Sequence, residues 1–339
     1  MTQIYLIRHG EAEGNVFRRL HGQYNSLLMP RGFEQRSYIQ KRFENISVDA
    51  CFSSDLTRAC LTAGSIYIPK GLPLQKDNRF RELNVGVWED LSYGYLDTYY
   101  DRDMRCFSRD PVHWMVAGSE SYADYTERFI EGMQDVAQRY DGGTICIFCH
   151  GAVLRGTLMR LFFQNQADAL PISDNAGISH LFYDKGCFTY EYLNDNSHIP
   201  EKLSTFYIQS WWRKTDNRKE ANLLFEPYRD EDQAFLDAIP AAGNGMLMTG
   251  KLGDRPVGVI SLGTQEGTTG VIHGMHVRQD MLGRYYADQL LGCAFSHFRR
   301  LGCTQLRADP GIYPDEVLSR YCFDEGTLAR SIDADCSLY

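Results

Sequence analysis

The chain has 339 residues, more than one hydrophobic core usually holds, so we predict two domains. Hydrophobic residues make up 43% of the chain and charged residues 23%, a balance typical of a globular protein. The net charge of −9 argues against a general nucleic-acid binder, because a phosphate backbone is bound by a dense basic surface. No apolar run is long enough to span a bilayer and no secretory signal is recognisable, so we expect a cytoplasmic protein without a membrane partner.

Strand and helix signals alternate through the first 195 residues. In chain order we predict a strand at 3–7, a helix at 31–44, a strand at 50–53, helices at 56–66 and 122–140, a strand at 144–149, a helix at 152–163 and a hairpin of 179–183 with 188–193. Continuous apolar strands between helices indicate a mostly parallel sheet with both faces covered. The first domain is therefore predicted to be a three-layer α/β/α sandwich.

A polar stretch at 194–200 ends this pattern. We place the first domain at 1–200, a connector at 201–220 and a second, smaller domain at 221–339. The connector contains Trp211 and Trp212, so it is expected to pack against a domain. The second domain is predicted to be α+β with a mixed sheet, with strands at 223–225, 246–249, 257–262, 271–277 and 304–308 and helices at 229–239 and 284–301.

The ten cysteines are scattered, which suits free thiols in a reducing cytoplasm. Cys146 and Cys149 form a CxxC pair, but the pair lies within the apolar run at 144–149. A redox or zinc site needs a turn that points both sulfurs the same way. We therefore read this segment as a buried strand and expect no metal site.

Two histidines follow apolar strands directly. Arg8-His9-Gly10 comes after the first strand, and His150-Gly151 comes after the strand at 144–149. Ligands of a parallel sheet bind at the carboxyl ends of its strands, so the two imidazoles are expected to converge on one substrate. The glycine after each histidine allows close approach of the backbone.

Phosphoryl transfer is the chemistry that this combination favours. Arginine matches the oxygens of a phosphate with its planar fork, and Arg8 and Arg58 are the candidates. Asn15 is a neutral donor, and Glu82 is the candidate acid for the leaving group. Each residue alone has a common structural explanation, a solvated arginine or a packed histidine, and the prediction rests on their combination.

The motifs occur in an order that resembles the histidine phosphatase superfamily, the phosphoglycerate mutase-like group. The matching segments are 8–15 (with Ala12 in place of a threonine), 53–63, 81–89, 118–121 and 149–151. The resemblance implies that His9 becomes a phosphohistidine and that Arg8, Arg58 and His150 hold the phosphate with help from Asn15. It also implies that Glu82 protonates the leaving group and then activates water, with no cofactor.

Some segments depart from the family pattern. At 22–29 the residues Asn25, Leu27 and Met29 differ from it, and His21 stands where a glutamine is common. We expect His21, Gly22 and Gly151 to contact the substrate, whose identity these differences leave open. The segment at 86–118 is short and rich in Tyr and Arg, and we see no recognition insert of a sugar-phosphate mutase. Hydrolysis of a small phosphorylated metabolite is therefore preferred, with phosphoglycerate mutase action as the alternative.

Residues 221–339 resemble a GNAT acetyltransferase domain through 224–232, the hairpin around Gly253 and the segment 274–277 that enters a loop and a long helix. The loop at 278–286 stands in place of the family's pyrophosphate cradle, so the resemblance points to Val277, Gly283 and Arg284 as residues that bind acetyl-CoA.

The second resemblance has its own departures. Tyr285 replaces a small residue of the cradle, no glycine precedes Phe323, and Leu318 stands where a tyrosine is expected. Two alternatives stay open, a working N-acetyltransferase and a module that packs on or regulates the phosphatase by binding acyl-CoA or a partner. A homodimer is also left open.

Overall fold

Apolar strands build the first of two six-stranded sheets in the computed structural model, which describes residues 1–210, 220–240, 243–311, 321, 323 and 329–332. The strands of this sheet are β1 (Thr2–Arg8), β2 (Ala50–Ser53), β3 (Leu74–Lys76), β4 (Thr144–Cys149), β5 (Ile178–Asp184) and β6 (Cys187–Asp195). Their order is β3-β2-β4-β1-β5-β6. The strands β3, β2, β4 and β1 pair in parallel, whereas β5 pairs antiparallel with both β1 and β6, so the predicted mostly parallel sheet is confirmed.

Alternate strand residues pack on opposite faces of the sheet. Ile4 and Leu6 point into one core and Tyr5 and Ile7 into the other, as the two-residue period of a strand requires. The helices of the first domain are α1 (Glu13–Val16), α2 (Pro30–Arg42), α3 (Thr57–Ala63), α4 (Tyr93–Tyr99), α5 (Asp101–Arg109), α6 (Tyr122–Arg139) and α7 (Gly151–Phe162). Because the core on each face includes helical residues, the three-layer α/β/α arrangement is confirmed.

The helix α6 shows how sequence sets these elements. Ser121 caps it by accepting a hydrogen bond from the amide of Asp124. Phe129, Met133 and Val136 recur at helical spacing and are fully buried in the core. The predicted amphipathic helix is therefore present almost to the residue.

A short helix, α8 (Thr205–Ile208), lies in the segment predicted to connect the domains. The predicted packing of the connector through Trp211 and Trp212 lies outside the described residues. Leu318, whose replacement of a tyrosine was noted above, lies outside them too.

The second sheet is mixed, as predicted. Its strands are β7 (Leu224–Pro227), β8 (Met246–Leu252), β9 (Arg255–Leu262), β10 (Thr269–Val277), β11 (Gln305–Ala308) and β12 (Ala329–Ser331). Neighbouring strands are antiparallel except β10 and β11, which are parallel. The long helix α9 (Tyr286–Arg300) packs on β9 and β10 and is buried along most of its length.

The helix predicted at 229–239 is wrong in type and length, since only a 3₁₀ helix is present, at Asp230–Phe235. Asp232 explains the difference. Its carboxylate accepts hydrogen bonds from the Arg229 amide and the Thr249 hydroxyl and binds Lys251 at 3.0 Å. These contacts tie the segment to β8 and leave no run of turns for an α-helix.

The two sheets are joined by a shared core. Phe17 and Met29 of the first domain lie in one buried cluster with Phe295 and Leu291 of α9. The rings of Phe17 and Phe295 have their centroids 4.8 Å apart. The segment after β1 therefore packs against the second domain. No helix among the described residues is long and apolar enough to cross a membrane.

Candidate active site

Two histidines follow neighbouring parallel strands at the same edge of the first sheet. Arg8 of β1 is in register with Cys149 of β4, so His9 and His150 follow their parallel strands at the same level. Both side chains are buried, and their ring centroids lie 5.2 Å apart. The structure therefore brings together the two imidazoles that the sequence places at strand ends.

The tautomer of His9 is set by a neighbouring carbonyl group. Its Nδ1 lies 2.7 Å from the carbonyl oxygen of Gly10, which can only accept, so Nδ1 carries the proton. The lone pair is then on Nε2. Burial, followed by the charges of Arg58 and Arg8, holds the pKa of His9 well below its ordinary value. His9 is thus a neutral imidazole with a nucleophilic Nε2 at physiological pH.

Arg58 is fully buried at the start of α3 and is held by the loop that follows His21. Its Nη2 donates to the carbonyl oxygen of Gly22 at 2.6 Å, and its Nη1 donates to that of Tyr24 at 3.0 Å. Burial lowers the pKa of Arg58 to about 10, which still leaves it charged at neutral pH. None of these partners carries a negative charge, so the guanidinium can also bind an anion.

His150 is oriented by this arginine. Arg58 Nε donates to Nδ1 of His150 at 3.2 Å, so the proton of His150 is on Nε2. That Nε2 is buried and has no hydrogen-bond partner among the described residues. Burial and the charge of Arg58 lower the pKa of His150 well below its ordinary value. His150 is therefore a neutral donor whose Nε2 has no acceptor among the described residues, an arrangement suited to binding an oxyanion.

Arg8 has a similar unpaired donor. Its Nη1 donates to the carbonyl oxygen of Ser173, while its buried Nε has no partner in the described part of the chain. A Cβ atom on Gly151 would lie 3.0 Å from Cζ of Arg8, so glycine lets the guanidinium lie against the start of α7. The predicted role of Gly151 as a point of close approach applies to Arg8.

Glu82 lies at the N-terminus of α7. Its Oε1 accepts from the amides of Leu83 at 2.9 Å and Val153 at 2.7 Å, and its Oε2 accepts from the amide of Ala152 at 3.0 Å. The helix N-terminus favours a carboxylate at this point. Oε2 keeps more free lone-pair capacity than Oε1 and is the oxygen better placed to exchange a proton.

Asn15 belongs to a pair of amides beside His9. Its Oδ1 accepts from the Ala12 amide at 3.0 Å and from Nδ2 of Asn175 at 3.2 Å. Asn175 also donates to the carbonyl oxygen of His9 at 3.1 Å and fixes that turn. Sequence reasoning missed Asn175, although a run of polar residues, Ser173 to Asn175, at the start of the antiparallel β5 was a usable signal.

His21 and Gly22 form a further wall of the site around His9. The His21 ring centroid lies 5.5 Å from that of His9, and burial lowers the pKa of His21 well below its ordinary value. Glu89 holds the loop, since its carboxylate accepts from the amides of Gln23 at 2.6 Å and Tyr24 at 3.1 Å. Glu89 was noted as part of a motif, but its role in fixing the loop was not predicted.

A cavity of about 290 Å³ lies next to this centre. Leu83 and Ala152, the neighbours of Glu82 and Gly151 in sequence, line it, and most of its wall is apolar, including Trp114 and Ile172. Arg155 is the cation on the wall. It donates only to carbonyl oxygens, those of Leu170, Ser108 and Ala167.

A second cavity of about 510 Å³ lies between the two domains. Val277, Gly283 and Arg284, the residues predicted to bind a cofactor, all line it. Gly283 has φ of +80° and Tyr285 has φ of +61°, so the backbone turns sharply just before α9. The Tyr285 side chain is 43% exposed. No cluster of three or more metal-ligating side chains is found among the described residues.

Comparison with known proteins follows the same division of the chain. A model of the histidine phosphatase superfamily (branch 1) matches residues 4–196, more than half of the chain. The chain belongs to the histidine phosphatase superfamily. A second model, of the acetyltransferase (GNAT) family, matches residues 207–313. The two resemblances stated from the motifs are therefore confirmed.

Individual relatives support the first assignment. The probable phosphoglycerate mutase GpmB of Escherichia coli O1:K1 is 30% identical over 154 residues, which are 45% of this chain and 72% of GpmB. Among solved structures, Bacillus stearothermophilus YhfR is 27% identical with a TM-score of 0.56, and the match covers 59% of this chain and 100% of YhfR. A mycobacterial glucosyl-3-phosphoglycerate phosphatase is similar in fold, with 24% identity and a TM-score of 0.53. The match covers 57% of this chain and 99% of that protein.

Proposed function

We propose that this chain is a metal-independent phosphatase that hydrolyses a small phosphorylated metabolite through a phosphohistidine at His9. The observation that carries the proposal is the unpaired set of groups around His9. Nε2 of His9 has a lone pair, and the buried Nε2 of His150 and Nε of Arg8 have no partner among the described residues. A tetrahedral phosphate supplies an acceptor for each donor and an electrophile for the lone pair.

In the first step, Nε2 of His9 forms a bond to phosphorus while the bond from phosphorus to the ester oxygen breaks. Arg8 and Arg58 neutralise the equatorial oxygens, and His150 donates its Nε2 proton in a hydrogen bond to one of them. Asn15 stands beside these donors. The leaving oxygen takes a proton from the carboxyl group of Glu82, through Oε2, and departs as an alcohol.

In the second step, Glu82 removes a proton from water through the same oxygen, and the water oxygen attacks phosphorus as the bond to His9 breaks. Inorganic phosphate leaves and His9 is again neutral. The low pKa of His9 favours this cycle, because a neutral imidazole is both the nucleophile and the leaving group.

The cavity beside Glu82 supports hydrolysis over mutase action. Its walls are mostly apolar, and Arg155 is the only guanidinium or ammonium group among the described residues that line it. A mutase must hold a second strongly anionic part of its substrate, which needs more than one cation. We therefore propose esters of apolar or aromatic alcohols as substrates. Transfer of phosphate between the positions of a phosphoglycerate without release would favour the mutase alternative.

The decisive test is replacement of His9 by alanine. We expect His9→Ala to lower turnover of an aryl phosphate by at least about 1000-fold, because it removes the nucleophile. It should also remove the acid-labile phosphoprotein that rapid quenching traps in the wild type. His113→Ala, at an exposed histidine paired with Asp110, is the matched control. It should keep the wild-type turnover and the trapped phosphoprotein. Normal turnover by His9→Ala would reject the mechanism.

Substrate class is tested by comparing kcat/KM for an aryl phosphate with that for glycerol phosphate. The apolar cavity predicts the larger value for the aryl ester. Equal values, or a preference for glycerol phosphate, would reject this part of the proposal.

For the second domain we propose binding of acyl-CoA at Val277, Gly283 and Arg284, with acetyl transfer as a further activity. The match to the GNAT family and the turn that precedes α9 support the proposal. Calorimetric titration with acetyl-CoA tests it, and absence of heat at millimolar ligand would reject it.

We also propose 1–200 and 221–339 as the domains, which limited proteolysis between them can test.

A further inference from the structure

The cavity between the domains has walls from both. On one side are the turn before α9 and the first residues of that helix, and on the other are Glu11, Pro30 and Arg31 of the first domain. Arg31 lies in the first turn of α2, which begins at Pro30. A ligand in this cavity therefore touches the phosphatase domain as well as the GNAT domain.

Arg31 uses only part of its binding capacity. Its Nη1 lies 2.9 Å from each carboxylate oxygen of Glu11. Neither its Nε nor its Nη2 has a partner among the described residues, and the side chain is 31% exposed on the cavity wall. The Nε and Nη2 groups of the guanidinium can therefore donate hydrogen bonds to an anion.

Other charges on the cavity wall leave it suitable for an anion. Arg18 and Arg284 add two cations. Of the carboxyl groups, Glu11 is neutralised by Arg31, and Glu34 is exposed. Asp288 is buried, accepts a hydrogen bond from the Tyr321 hydroxyl, and has its pKa raised to about 7 by burial.

Glu11 joins this cavity to the active site. It follows Gly10, whose carbonyl oxygen fixes the tautomer of His9. The backbone of Glu11 is held on both sides, because its amide donates to Gln35 at 2.8 Å and its carbonyl accepts from Met29 at 2.9 Å. The carboxylate is 3% exposed and depends on Arg31 and on the Thr205 hydroxyl, 2.9 Å away. A buried charge that loses its partner is costly, so movement of Arg31 is transmitted to this turn.

We infer that Arg31 binds the phosphate groups of a ligand of the acyl-CoA class in the interdomain cavity and, through Glu11, couples its binding to the phosphatase site. The inference rests on the proposed functions of the two domains. Phosphate oxygens that bind the open Nε and Nη2 groups draw the guanidinium away from Glu11, and the turn that carries His9 loses part of its support. The ligand therefore acts as an inhibitor of the phosphatase.

Reciprocity gives the inference two matched measurements. CoA should lower kcat/KM for an aryl phosphate and should raise the inhibition constant of orthovanadate, the phosphoryl stand-in, by about fivefold or more. Saturating orthovanadate should then weaken CoA binding by the same factor as CoA weakens orthovanadate binding. Both are made on the full chain, by steady-state kinetics and by calorimetry. CoA is the probe because it has no acyl group to transfer.

Variants separate binding from coupling. Arg31→Gln should weaken CoA binding and abolish the effect of vanadate, whereas Glu11→Gln, which frees Arg31, should keep CoA binding and lose the coupling. If Arg31→Gln alone does not fold, the double variant with Glu11→Gln removes the unpaired carboxylate and serves in its place. Arg255→Gln, at a half-exposed arginine paired with Asp280 on the surface, is the control. It should retain the inhibition by CoA and the weakening of CoA binding by vanadate.

The results that would overturn the role of Arg31 differ from those that would refute the proposed phosphatase function. Equal CoA affinity in the wild type and the Arg31 variant, or no effect of vanadate on that affinity, would overturn the inference while the phosphatase activity stands. Absence of CoA binding would overturn it as well. A wild type without phosphatase activity would refute the proposed function, and the calorimetric comparison would still decide the role of Arg31.

Discussion

His9, His21 and His150 share a buried site with Arg8 and Arg58. Desolvation disfavours the charged form of each imidazole, and the nearby guanidinium groups add repulsion, so the pKa values of all three histidines are lowered. An imidazole that stays neutral in this setting can serve as a nucleophile, and the positive charge around it can bind an anion.

This electrostatic arrangement predicts the protonation of the three imidazoles. They should remain neutral as the pH falls through 6.5, the ordinary pKa of histidine, and should gain protons only at clearly lower pH. NMR titration of the ring protons checks this, with the urea-unfolded chain as the reference. Protonation of the His9 signal at or above the midpoint of the unfolded reference would contradict the prediction.

Sequence reasoning reached the residues of the site that follow apolar strands or sit in short motifs, His9, His150 and Arg58 among them. It did not reach Asn175 or the loop-fixing role of Glu89. The bonds of these two residues run to groups in distant segments of the chain, and no spacing in the sequence encodes such a partner.

Among the elements, the buried strands and the long amphipathic helices were predictable because their apolar periods are strong. The helices α4 and α5 were not predicted, since they are only 7 and 9 residues long and the stretch from Tyr93 to Arg109 is rich in aromatic and charged residues. The structure shows a reason for its composition. α4 packs against β7 of the second domain, so this segment serves an interface as well as the site.

Gly94 lies directly against the backbone of the second domain. A Cβ atom there would lie 2.1 Å from the carbonyl oxygen of Leu223, which cannot move away easily because it is backbone. Gly94→Ala should therefore lower the free energy of unfolding by about 1–3 kcal/mol, despite the better helix propensity of alanine. Urea denaturation measures this, with Tyr99→Ala at an exposed position of the same helix as the control. A Gly94→Ala protein as stable as the wild type would mean that α4 does not pack here as described.

In the whole molecule, the two family domains behave as parts of one structure. Met29, which departs from the family pattern, is 2% exposed in the cluster formed with the second domain. Ion pairs reinforce this contact, with Arg299 of α9 bound to Glu13 at 2.8 Å. The departure was visible in the sequence, but its reason was not, because the residues that cover Met29 are far away in the chain.

The shared core predicts that a change in the first domain loosens the second. Phe17→Ala should destabilise the chain by about 3–5 kcal/mol, since a buried aromatic ring is lost. It should also speed hydrogen exchange in α9, which packs on that ring. Exchange mass spectrometry of the full chain detects this, and Phe33→Ala, at a more exposed phenylalanine, is the control. Unchanged exchange in α9 would show that the domains are independent.

The bond between Glu13 and Arg299 joins residues 286 positions apart. At about 5–20 residues per second, a ribosome needs roughly 15–60 s to travel that distance. The first domain therefore has time to form its sheet while Phe17 and Met29 still lack the helix that covers them. A nascent chain of this protein offers an apolar patch to chaperones, or to other nascent chains, until α9 has been made.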